Sequence, residues 1–304
     1  MKEAGIRLIT FVFSLMLAVT ASGGDLLKFN PPASVSLKVT SRTIRVESRN
    51  GLRLADTTVS EAAGKITRTA GGWAVTTTVK SIRITPGTDS LKKTLSDLLI
   101  GTETSLYINS QGMALSASGY DQMLARLDSG VQTPMKSAIR QVFTPRALAE
   151  REQREWNVRV GEIVGRPLTI GHIETRRADN SAEAGPRVSL LSATIIEDTI
   201  RLDGVLCLQV GVYSDSDPAR LADALHRSVP EVVALFHLSD SAVAGLKQRE
   251  MEYSSHLHIT MDAATLLVRA ETMERTMTVA VPGKDGTTNK RQTQETVEKA
   301  ISYY

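Results

Sequence analysis

The chain has 304 residues, enough for one large domain or two ordinary ones, and sets 36 Lys and Arg against 33 Asp and Glu. A net charge of +3 with interspersed signs argues against a nucleic-acid footprint, and 4% aromatics leave the core to Val, Ile, Leu, Met and Ala. The lone cysteine, Cys207, rules out an intramolecular disulfide.

At the N-terminus Lys2 and Arg7 precede the apolar run LITFVFSLMLAV (8–19), and Val19 and Ala21 fit the minus-three and minus-one positions of a cleavage site before Ser22. Residues 1–21 therefore read as a signal peptide. The run is short for a transmembrane helix, and no cysteine follows it to carry a lipid. The expectation is an exported protein, periplasmic or secreted, with no transmembrane span in the mature chain.

The first strand signal is SVSLKVTSRTIRVES (34–48), which alternates Val35, Leu37 and Val39 with polar neighbours. Asn50-Gly51 marks a turn, and WAVTTTVKSIRIT (73–85) is a further β-branched run. Leu91, Leu95, Leu98 and Leu99 form a helical stripe that Gly101 ends. LYINSQGMALSAS (106–118) reads as a hairpin around Ser110 and Gly112. Thr-Pro at 133–134 and 144–145 places an N-cap before a first-turn proline twice. Glu150 and Arg154, one helical turn apart, belong to a solvated helix face.

Trp156 marks an expected return to strands, and residues 179–187 read as a loop. Asp203-Gly204 between β-rich flanks is the strongest hairpin signal, and it places Cys207 on the same strand face as Val205. Residues 216–239 read as a helix capped by Asp217 and broken at Pro230. Strands return at 249–262, 266–281 and near 289–301, with a PGKDG turn at 282–286. Strands, helices and strands thus occur twice, which points to halves at 22–155 and 156–304 or to one continuous domain.

Chemical signatures are sparse. Ser110 lacks the Gly-x-Ser-x-Gly frame of a nucleophile elbow, and Ser90 with Lys93 lacks the Lys-Thr-Gly companion of penicillin-recognising enzymes. No phosphate loop or dinucleotide fingerprint occurs. His256 and His258 stand two apart on a strand, so both imidazoles point to one side. Glu252 or the distant His172 could complete a metal site, but no spacing nominates either. The expectation is two exposed strand histidines without a tight transition-metal site. No catalytic residue, cofactor or nucleic-acid partner is expected.

The export signal, the hairpins, REWNVRVGEIVG (154–165) and DGVLCLQVGV (203–212) together resemble secreted bacterial β-rich proteins of unknown function. More distantly, the layout over most of residues 30–304 resembles the half-barrel carriers of periplasmic lipoproteins. That resemblance implies an α+β fold of mainly antiparallel, curved, half-barrel-like sheets with helical inserts packed on one face. It also implies a non-enzymatic envelope protein that binds a lipid-like ligand or another envelope protein. Val35, Leu37, Val39, Ile108, Leu257 and Ile259 are the expected inward positions, lining either a pocket or a filled core. A secreted hydrolase, a metal-dependent enzyme or an assembly factor is the alternative.

Overall fold

β-branched runs set the architecture of the computed structural model. It describes residues 26–49, 52–85, 90–130, 144–180, 188–217, 219–221, 223–224, 251–282 and 288–304. The signal segment, the Asn50-Gly51 turn, the first Thr-Pro pair and most of 216–239 lie outside the described residues, as do 181–187 and 283–287.

The strands are β1 (Ser34–Arg49), β2 (Leu52–Thr69), β3 (Gly72–Thr85), β4 (Glu103–Asn109), β5 (Ala114–Ser118) and β6 (Ile173–Asn180). They continue as β7 (Val188–Leu202), β8 (Val205–Asp215), β9 (Met251–Asp262), β10 (Val268–Pro282) and β11 (Thr288–Tyr303). Among the described residues these eleven strands form one antiparallel sheet in the order β5-β4-β3-β2-β1-β11-β10-β9-β8-β7-β6. In each half, strands consecutive in the chain lie side by side, and the pairing of β1 with β11 joins the halves at the centre.

This arrangement corrects the α+β expectation. One sheet dominates, and the described helices are short: α1 (Ser90–Leu99), α2 (Tyr120–Gly130) and α3 (Pro145–Trp156). The second Thr-Pro pair does start a helix, because the Thr144 hydroxyl accepts from the Ala147 amide and Pro145 needs no amide partner. Trp156, however, ends that helix instead of starting a strand, and a π-helical turn, Asn157–Gly161, follows it. Among the described residues no helix is long and apolar enough to cross a membrane; that observation does not bear on membrane β-barrels.

Strand alternation builds the larger of two hydrophobic clusters on one face, the inner one, and Ala193, Ile195, Tyr213 and Leu221 form a smaller one on the other face. Val35 lies opposite Ile66, Ile66 opposite Val75, Val75 opposite Leu106, and Leu106 opposite Ala117. A matching row on the other half runs Val212, Leu257, Met273. These side chains share one hydrophobic cluster with Phe29, Val160 and Ile163, so the segments before β1 and after α3 fill the inner face. Phe29 meets the edges of Trp73 and Trp156 at ring separations of 5.4 and 5.3 Å, a geometry that aromatic quadrupoles favour.

The β4–β5 hairpin anchors this filling. Its turn is held by the Asn109 carboxamide oxygen, which accepts from the amides of Gln111 (3.0 Å) and Met113 (2.9 Å). Gly112 has φ of +82° and offers its carbonyl to the Trp156 indole at 2.9 Å. A β-carbon there would press within 2.8 Å of both Phe29 and Val164. Ser110 therefore sits in a turn whose residues serve packing.

A carboxylate–imidazole cluster and a polar pocket

The outer face of the same sheet carries the polar groups that converge. His256 and His258 alternate with Leu257 and Ile259, which face the core, so strand geometry alone sends both imidazoles outward. Their ring centroids are 3.8 Å apart. Tyr213, opposite His256 on β8, stacks on that ring at 4.0 Å.

The third member is Glu197, which neither Glu252 nor His172 had anticipated. Pairing of β7 with β8 shifts between Ile196 and Asp198, and Glu197 is the extra residue of this β-bulge. The bulge sends its carboxylate across β8 toward β9. One oxygen meets His258 Nδ1 at 3.1 Å, and the other accepts the Tyr213 hydroxyl at 2.5 Å. The crossing passes over Gly211, the residue opposite His258; a β-carbon there would collide with the Glu197 carboxylate and the Tyr213 ring. A bulge and a glycine thus cooperate in one placement.

Electrostatics separates the two histidines. Burial, reinforced by the charge of His258, lowers the His256 pKa to about 4, so its ring is neutral near pH 7. The hydrogen bond that His258 donates to the Glu197 carboxylate raises that of His258. Burial opposes ionisation of Glu197, yet the bonds from His258 and Tyr213 outweigh it and hold the carboxyl below its ordinary value. Among the described residues the Nε2 atom of His256 is buried and has no hydrogen-bond partner.

Beside this cluster opens a pocket of about 330 Å³, near the lower limit for small-molecule sites. Tyr213, Asp215, Arg220, Leu221, His256 and Glu274 are among its walls. Asp215 is 6% exposed and accepts the Asp217 amide at 2.6 Å. Burial nevertheless pushes its pKa up to about 6.

That shift has a definite sign. The folded chain holds a proton on Asp215 between about pH 4 and 6 that the unfolded chain has released, so this group's contribution falls as pH rises through that window. Subtracting the stability of Asp215→Asn from that of wild type, with chelator present, should give a difference that declines from pH 4 to 6. Parallel curves in urea unfolding would refute the assignment.

The expected ligand-lining residues lie on the inner face, away from this pocket. Leu37, Ile108, Leu257 and Ile259 are enclosed in the hydrophobic cluster, while Val35 and Val39 are partly buried against it. Cys207 is fully buried, and burial raises its thiol pKa.

No family model matches the chain, and no curated protein does. Among solved structures, the translocator domain of the autotransporter NalP from Neisseria meningitidis aligns at 8% identity and a TM-score of 0.20, covering 98% of this chain and 97% of that one. OpdO of Pseudomonas aeruginosa aligns at 8% identity and a TM-score of 0.23, covering 91% and 98%. OpdQ of the same organism gives 8%, 0.21, 90% and 100%. At TM-scores of this size the likeness carries neither fold nor function to this chain.

Proposed function

We propose that the chain is an exported, non-enzymatic envelope protein that binds another component of the envelope through the polar pocket on its outer face. Export rests on the charged N-terminus, the apolar run and the small residues at 19–21. The observation that carries the binding reading is the contrast between the two faces. Phe29, Trp156 and Ile163 already cover the inner apolar residues, whereas among the described residues the outer face forms a pocket that offers carboxylates beside Arg220 and Arg275. Such a mixed-sign, hydrogen-bonding surface suits a polar or charged group of a partner.

Val35, Val39 and Met273, only partly buried along the inner cluster, favour a lipid-like ligand as the second reading.

A photo-crosslinking residue at Arg220, 58% exposed at its side chain, separates the two in the producing cell. The partner reading expects a discrete protein adduct that the same group at the exposed hairpin residue Leu52 does not give. Lipid extracted from the purified protein, without such an adduct, would favour the second reading. N-terminal sequencing should begin near Ser22, and a cytoplasmic product retaining Met1 would overturn export.

A further inference from the structure

We propose that Glu197, His256 and His258 form a binding site for a divalent transition metal, with zinc the best chemical match. This inference goes beyond the partner-binding reading and stands without it. One ligand atom from each residue lies within 4.8 Å of the others. A tetrahedral zinc site with bonds of 2.0–2.2 Å needs ligand atoms about 3.4 Å apart, so the cluster closes by at most about 1.4 Å. His258, half-exposed at its side chain, is free to supply much of that movement by rotation.

Four independent features converge on this reading. The β-bulge delivers the carboxylate across an intervening strand, and Gly211 clears its path. Among the described residues His256 Nε2 is buried and has no hydrogen-bond partner, an arrangement that is costly unless a ligand meets it. Tyr213 holds one oxygen of Glu197, as outer partners of metal carboxylates do, and the other oxygen faces His258 Nδ1 at 3.1 Å, where an ion would take the place of that hydrogen bond. Two imidazoles with one carboxylate suit zinc and its first-row neighbours better than calcium or magnesium, which prefer all-oxygen sets. Three protein ligands leave a fourth position for water or for a donor atom arriving through the adjoining pocket, since His256 also lines that pocket.

The test is titration of the metal-stripped full chain with zinc against a chromophoric chelator, and with cobalt(II) monitored by its visible d–d bands. One equivalent of saturable zinc binding is expected, with cobalt bands of low-coordinate nitrogen and oxygen ligation. Glu197→Gln and His258→Ala should each weaken zinc binding by at least tenfold while leaving the thermal midpoint of the metal-free protein close to wild type. If His256→Ala fails to fold, the half-exposed His258 still carries the test. Absence of saturable binding by wild type would overturn the site. So would wild-type affinity in the Glu197→Gln/His258→Ala double variant, which would place any bound metal elsewhere.

Discussion

Replacing Leu208 with alanine should lower the unfolding free energy by about 2–5 kcal/mol, toward the upper part of that range. Leu208 is fully buried on β8 and sits opposite the equally buried Met261 of β9. β8 is paired along both edges, with Leu208 itself opposite Thr199 of β7 and Met261 of β9, so the backbone is held back from collapsing into the space that the lost carbons leave. The natural control is Leu206, two residues away on the same face but 42% exposed. Its replacement by alanine should stay within about 0.5 kcal/mol. Denaturant midpoints compared at equal slope measure both. Equal costs at the two positions would mean that the core is not centred where β8 and β9 meet.

Glu271 should prove nearly as sensitive, for a different reason. Its carboxylate is 6% exposed on β10 and takes Lys299 of β11 at 3.1 Å and Arg159 of the π-helical turn at 3.2 Å. It therefore ties the segment after α3 to the middle of the sheet. Glu271→Ala would take this carboxylate from two partly buried cations, of which Arg159 keeps Glu155 at 3.5 Å, and breaking a buried pair costs about 3–5 kcal/mol. Both cations keep some access to water, at 20% and 26% exposure, so the lower end, about 3 kcal/mol, is expected here. Pairing Glu271→Leu with Arg159→Met removes one of the two cations that lost this partner and should recover part of that loss. A double variant whose cost equals the sum of its single changes would show that the two residues are uncoupled.

How far these features could be read from sequence depends on the range of the interaction. Hairpins were legible because their signals are local: Asp203 and Gly204 both take positive φ in the β7–β8 turn. The outward direction of His256 and His258 was legible for the same reason, since alternation within one strand fixes it. Glu197 was not. It lies 61 residues from His258, and its bulge breaks the alternation that would otherwise assign its face. Gly211, which makes room for it, looks in sequence like any weak point in a strand. Fold class failed on a related point. Local periodicity finds strands and helices but does not reveal that β1 pairs with β11, which turns two expected sets of strands into one sheet.

That central seam also sets the timing of folding. Glu47 and Arg291 meet across it from positions 244 residues apart, whereas every other neighbouring pair of strands is consecutive in the chain. Hairpins on either side can form as soon as their own residues are available, but the seam must wait for the final strand. Until then β1 presents a sixteen-residue edge of unpaired amides and carbonyls. Closing so large a loop is entropically costly and slow relative to hairpin formation, so the seam should be the last long-range contact made. A chain threaded through a membrane N-terminus first would carry this sticky edge throughout its passage, which makes the interval before β11 arrives its period of greatest exposure to aggregation.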